Sequence, residues 1–418
     1  VSTALSLSER YPTHQITLLE ASPTIPNPHG SSVDSSRIIR ADYANPAYAS
    51  LAAAAIQKWR NTEWGHDGRY TENGLALVYS EENSTAERYT RDSYQNVRRI
   101  EGDHRVQYLP SKAAVEEVVP RYAAGLNVAG GYINRGSGWG NAEAGVRFAR
   151  AQLEKKSNVT VQSGEVAKLL VADDNLVIGV ALTDDRTVTA DLTILATGAW
   201  TPQLIDLRGR AQATGQVLAY IPLTPDEQAQ LAHMPTILSF ATGMFIIPPR
   251  NNELKIARHA YGYLNPKPVM LPDQDERVEI SVPENDLPVP AEGQAACRVA
   301  LREMLPAFAE RPFSRTRICW YTDTCVFPAL AYYMLKEFPA PKVISSSPTI
   351  RTTPTSSSPP AAAATDTNSC PCWGTKSWTP WRAPSTRSCG SCGLGRRNSS
   401  RRHSSRMMRV DRGGKGWY

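Results

Sequence analysis

His14-Gln15-Ile16-Thr17-Leu18-Leu19-Glu20 reads as a short apolar strand that closes on an acid. Upstream of it, Val1, Ala4 and Leu5 fall on one face of a helix that is already under way at the first residue. A dinucleotide-binding unit runs strand, glycine-rich loop, helix, strand, acid. In such a unit the helix carries Ala and Leu where Ala4 and Leu7 stand here. The spacing therefore predicts a Rossmann-like fold whose first strand and glycine loop lie before Val1. Glu20 is then expected to accept hydrogen bonds from the ribose hydroxyls of an adenosine; the plainer reading is a surface acid ending an ordinary strand.

Working outward, residues 48–59 have the pattern of an amphipathic helix, residues 70–79 read as a strand and turn, and Ala142–Leu153 as a helix. Val159-Thr160-Val161 and residues 165–170 read as strands, with hairpin turns at Asp173-Asp174-Asn175 and Thr183-Asp184-Asp185-Arg186. An apolar strand over residues 188–196 should then return and end in Ala196-Thr197-Gly198-Ala199-Trp200-Thr201. Small residues at such a strand end let backbone approach a bound cofactor. From about Gly215 to Phe308 a second region of strands is expected. Arg37 and Arg40, three apart, are expected on one side of a helical turn.

Composition bounds these readings. The chain has 418 residues, 41% hydrophobic and 21% charged, enough for one large core or two moderate ones. It contains no run of eighteen apolar residues and no charged-then-apolar leader, so a cytoplasmic or peroxisomal protein without membrane contact is expected. The net charge of +6 hides an asymmetry: beyond Lys342 stand twelve Arg or Lys against Asp366 and Asp411, whereas the first 342 residues carry 34 basic and 38 acidic groups. A basic surface over the body is thereby excluded, and no nucleic-acid partner is expected. Only Cys297 and Cys319 precede Cys325, which implies no disulfide framework.

Arg317-Ile318-Cys319-Trp320-Tyr321-Thr322-Asp323-Thr324 resembles the segment carrying the covalent flavin in the monomeric sarcosine oxidase, fructosyl-amino-acid oxidase and saccharopine oxidase family. These are amine oxidases with a glutathione-reductase-like FAD fold. Read alone, Cys319 is a small buried hydrophobe; the resemblance implies that its sulfur bonds to the flavin 8α-methyl group. Ser31-Ser32-Val33-Asp34-Ser35-Ser36-Arg37-Ile38-Ile39-Arg40 is similar to the family's signature after the second strand. It implies that Arg37 lies by the flavin ring and that Arg40 clamps a substrate carboxylate, for which a planar guanidinium suits better than Lys. Tyr132-Ile133-Asn134-Arg135-Gly136-Ser137-Gly138-Trp139 resembles the loop into the next helix, and Thr197, Gly198 and Trp200 belong to a second cofactor hallmark.

Within Glu253-Leu254-Lys255-Ile256-Ala257-Arg258-His259 the resemblance implies that Lys255 activates oxygen and that His259 lines the substrate cavity, with Tyr321 an active-site tyrosine. A buried cation suits oxygen activation because it stabilises superoxide; a solvated strand lysine is the plainer reading. Fructosyl-amino-acid oxidases carry an acid where His259 stands, so a smaller or uncharged N-substituent is implied.

After Thr324 the resemblance ends. A Ser/Thr/Pro-rich run from Ser345 and an Arg-rich end hold too few apolar residues to offset ordering entropy. When each codon's third base is joined to the next two, residues 342–348 can encode G-D-F-L-I-T and residues 360–369 can encode G-G-S-G-H-G-Y-K-F, the motifs the family carries there. Residues 325–339 fit an unspliced intron. At face value, Cys370, Cys372, Cys389 and Cys392 form a weak zinc pattern; no metal is expected.

These readings predict an α/β fold with an α+β insert. An FAD-binding Rossmann-like domain of the glutathione-reductase type (1–60, 130–212, 309–324) is interleaved with an antiparallel substrate-domain sheet (61–129, 213–308), and a disordered tail follows (325–418). The implied function is oxidation of a secondary amine or N-substituted amino acid by a monomer, with FAD held through Cys319 and oxygen reduced to hydrogen peroxide. The alternatives are an FAD-dependent amine dehydrogenase and an inactive remnant.

Overall fold

The computed structural model describes residues 1–119, 125–173, 175–260, 262–271 and 274–324. An eight-stranded sheet dominates, in the order Arg315–Thr324, Ala211–Pro222, Glu253–Arg258, Met244–Arg250, Thr236–Ser239, Leu75–Tyr79, Gly130–Asn134, Val106–Leu109. The expected antiparallel sheet is present with one exception. Thr236–Ser239 runs parallel to Leu75–Tyr79, joining strands far apart in sequence.

Both faces of this sheet are covered, which is why its strands read as nearly continuous apolar runs. Side-chain alternation sends Val217, Ala219, Ile221, Ile256, Ile318 and Trp320 into one core, shared with Cys297, Leu301 and Met304 of the helix Ala291–Met304. Leu218, Tyr220, Ala257, Phe245, Leu77 and Cys319 enter the other, beneath Ala52, Ile56 and Trp59 of the helix Pro46–Asn61. That helix begins where Asn45 accepts from the amides of Ala47 and Tyr48, with Pro46 in its first turn.

The Rossmann-like part follows the sequence reading. Ile16–Glu20 pairs in parallel with Val159–Ser163, and Ala4 and Leu5 of the helix Ser2–Arg10 pack with Leu153 of Ala142–Leu153. The next hairpins turn at Asn175 and Asp185, both with positive φ. Two expectations fail. The apolar strand over 188–196 is reduced to Thr187–Thr189. Strand structure needs a ladder partner, and Leu192 is instead 44% exposed. Arg37 and Arg40 do not share a helical turn, because Arg37–Ile39 is a strand antiparallel to Gly138–Gly140. Two consecutive isoleucines favour the pleated conformation, and Ile39 is buried in it.

Among the described residues no helix is long and apolar enough to cross a membrane, and no His/Cys/Asp/Glu group is arranged to hold a metal. The tail expected to be disordered and the four cysteines at 370–392 lie outside the described residues.

Candidate active site

The register of the central strands decides which side chains meet. Ala211–Pro222 pairs with Arg315–Thr324 so that Tyr220 faces Arg315, Gln216 faces Cys319 and Thr214 faces Tyr321; on its other edge Tyr220 faces Lys255. Directly opposed residues project to the same side of a sheet. Lys255, Tyr220, Arg317, Cys319 and Tyr321 therefore share one face.

Onto that face folds the loop carrying Asp34, Ser36 and Arg37. Lys255, only 2% exposed, donates from Nζ to Asp34 Oδ2 at 2.7 Å and to the Ser36 carbonyl at 2.6 Å. The hydroxyl of Tyr220 donates to Asp34 Oδ1 at 3.0 Å, and Arg37 Nη1 stands 3.5 Å from Asp34 Oδ2. Arg37 reaches the other way as well, with Nη2 3.2 Å from Cys319 Sγ, while its buried Nε has no hydrogen-bond partner among the described residues. Burial would raise the Asp34 carboxyl, but Lys255, Arg37 and Arg317 together hold it well below the usual carboxylate range. Burial likewise pulls the Lys255 ammonium down, and with Asp34 supporting the charge it settles at about 8. For Arg37, burial is outweighed by Cys319 and Asp34, so it remains a cation.

Arg40 follows on the same segment and is buried; its Nη1 donates to the Asp42 carbonyl, and its guanidinium lies 4.1 Å over the Tyr43 ring. The Asp42 carboxylate is fully buried and accepts from Tyr132 at 2.9 Å, from Asn134 at 3.2 Å and from Ser137 at 2.5 Å. Burial raises its pKa despite these donors and the charge of Arg40.

The half-buried His259 follows the strand Glu253–Arg258, its ring centroid 6.3 Å from that of Tyr321. Beneath them, Gln216 Nε2 donates to the Ala260 carbonyl at 2.6 Å, and Thr214 donates to Asp323. Glu20 stands elsewhere, at the end of its strand, accepting through Oε1 from the Ser22 amide at 3.0 Å and from Asn27 at 2.8 Å. Thr197 precedes a 3-10 turn, Gly198–Gln203, in which Thr201 bonds back to Thr197 at 2.8 Å and Trp200 packs on the core. Gly198 has φ +52° and open space where a Cβ would project, so backbone is presented bare at this point.

Lys255, Arg37, Cys319 and Tyr321 are thus drawn together, His259 beside them, whereas Glu20 and residues 197–200 stand on other elements. Sequence reading passed over Asp34, Tyr220 and Asp42. An acid three residues before Arg37 in a Ser-rich segment was a visible sign for Asp34 alone.

Residues 1–330 match the family described as FAD dependent oxidoreductase (DAO). The chain is 30% identical over 391 residues to amino acid oxidase imqH of Aspergillus flavus, covering 77% of this chain and 80% of that one. It is 26% identical over 343 residues to L-saccharopine oxidase of Schizosaccharomyces pombe, covering 78% and 77%. A modified fructosyl peptide oxidase from Aspergillus nidulans is similar in structure, with a TM-score of 0.68 at 25% identity over 77% of each chain.

Proposed function

The chain belongs to the FAD dependent oxidoreductase (DAO) family, and from that membership we propose that it oxidises the C–N bond of an N-substituted amino acid and passes the electrons to oxygen. The balance is amine plus oxygen to imine plus hydrogen peroxide, after which water cleaves the imine to an amine and a carbonyl compound.

The observation that carries this reading is the assembly of Lys255, Arg37 and Cys319 on one buried sheet face. The residues fit a flavin: Arg37 keeps an unsatisfied buried donor beside the cysteine, and Gly198 leaves backbone open to a close neighbour. FAD, when bound, supplies the acceptor for the two electrons leaving the C–N bond. Cys319 would tether it and Arg37 would lie along the ring, while Glu20 would take the ribose end and Thr197, Gly198 and Trp200 would flank it. Arg40 would grip the substrate carboxylate. His259 and Tyr321, ring against ring, would shape the space for the N-substituent, in keeping with a smaller or uncharged group. Lys255 would supply a positive charge favouring oxygen's uptake of an electron.

The test is to load the full chain with FAD and measure flavin absorbance, oxygen uptake and peroxide with sarcosine, pipecolate, saccharopine and fructosyl-valine. Peroxide matching oxygen consumed, with one of these, is expected. Electrons passing to dyes but not to oxygen would favour the dehydrogenase; no turnover with stoichiometric flavin would overturn the reading.

A further inference from the structure

Among the groups around Lys255, one carboxylate holds the rest. Asp34 has a fully buried side chain with both oxygens engaged: Oδ1 accepts from the Tyr220 hydroxyl at 3.0 Å and from the Ser35 amide and hydroxyl at 2.8 and 3.4 Å, and Oδ2 accepts from Lys255 Nζ at 2.7 Å and pairs with Arg37 at 3.5 Å. The groups acting on this pair come from every element packed on it. Among the described residues they are Arg37 from its strand, Tyr220 from Ala211–Pro222, and Arg315, Arg317 and Cys319 from Arg315–Thr324. The ring of Phe245, from Met244–Arg250, lies 5.7 Å from Lys255 Nζ.

We infer that Asp34 is the positioning residue of this site: its carboxylate fixes the Lys255 ammonium and the Arg37 guanidinium at once. Two buried cations that share a single carboxylate cannot both stay charged when it is removed, because the desolvation cost of each is then uncompensated. Arginine does not release its proton in such a setting, whereas lysine does. The burden therefore falls on Lys255, already lowered to about 8 with Asp34 in place. The loop bearing Asp34 also borders a polar cleft of about 260 Å³ with Arg250, Arg315 and Arg317.

This inference rests on the oxygen-activating reading of Lys255, and its test separates the two. The first readout needs no flavin. In full-length protein carrying ¹³Cε-labelled lysine, the Lys255 resonance is identified by its loss in Lys255→Met and followed against pH. In the unaltered chain its midpoint should lie near 8. Asp34→Asn should lower it by about one unit or more, and Asp34→Glu should restore it to within about half a unit. A midpoint unmoved in Asp34→Asn overturns the inference. If Asp34→Asn does not fold, Asp34→Asn/Lys255→Met should fold, since the uncompensated charge is gone; a double variant no more stable than the single one also overturns it. The second readout is flavin reoxidation by oxygen in the loaded protein, expected to slow in Asp34→Asn at pH 7.5 and recover in Asp34→Glu. A midpoint that falls while reoxidation stays fast leaves the role of Asp34 standing and removes Lys255 from oxygen chemistry.

Discussion

The proposed chemistry rests on Lys255 and Cys319, and each makes its own prediction. With its ammonium lowered to about 8 by burial, Lys255 is charged below that pH and neutral above it. Flavin reoxidation should accordingly be fast on the acid side and fall as pH rises through about 8. Lys255→Met should flatten this profile and cost about 3 kcal/mol, the worth of one preorganised charge, or roughly a hundredfold in the oxygen half-reaction. Stopped-flow measurement of both half-reactions decides the matter: equal slowing of flavin reduction would give Lys255 a substrate role instead. Cys319 faces the same cluster, within 3.2 Å of Arg37. Acid-precipitated protein should stay yellow, and Cys319→Ser should release its colour to the supernatant; equal loss from both would remove the covalent link. The family resemblance pointed to these two residues and to Arg37, yet could not show Asp34 as the partner of Lys255 and Arg37. Asp34 and Lys255 are separated by 221 positions, and only the folding of the Asp34 loop onto the sheet brings them to 2.7 Å.

Elements were legible where local chemistry fixes them. The helix Ala142–Leu153 starts at the Asn141 cap, and the hairpins turn at residues that tolerate positive φ. Legibility failed where an element owes its form to a distant neighbour. Arg37–Ile39 looks like any short basic segment until Gly138–Gly140 pairs with it. The junction after that strand is pinned by Asp42, whose carboxylate collects Tyr132, Asn134 and Ser137 from the strand Gly130–Asn134 and the turn beyond it. Asp42→Ala should leave buried donors unpaired and cost about 3 kcal/mol, read as a lower urea midpoint. Because the Asp42 carboxylate lies in the field of the Arg40 guanidinium, the same variant should loosen Arg40 and raise KM for a carboxylate-bearing amine more than it lowers kcat. An unchanged midpoint would mean that water replaces the lost acceptor.

At the scale of the whole molecule, the strand pair of the Rossmann-like part is small, whereas the eight-stranded sheet with its two cores is large. The first of these was legible from Ile16–Glu20 and its acid; the second was legible only as a set of apolar runs, because the order of strands in a sheet depends on pairings between segments far apart. If FAD binds across both parts, it is a ligand for the folded state alone and must stabilise it by linkage. For a reversible ligand at a hundred times its Kd that contribution is about 2.7 kcal/mol, and it grows with each further increase in concentration. A covalent ligand behaves otherwise, since it remains on the unfolded chain and free FAD no longer enters the equilibrium. In Cys319→Ser, Tm should therefore climb with the logarithm of added FAD, while in the flavin-loaded unaltered protein Tm should be high and independent of added FAD. Differential scanning calorimetry at several FAD concentrations distinguishes the cases. A Tm that climbs equally in both proteins would show that FAD is held by contacts alone, and one that moves in neither would place the cofactor outside the cooperative fold.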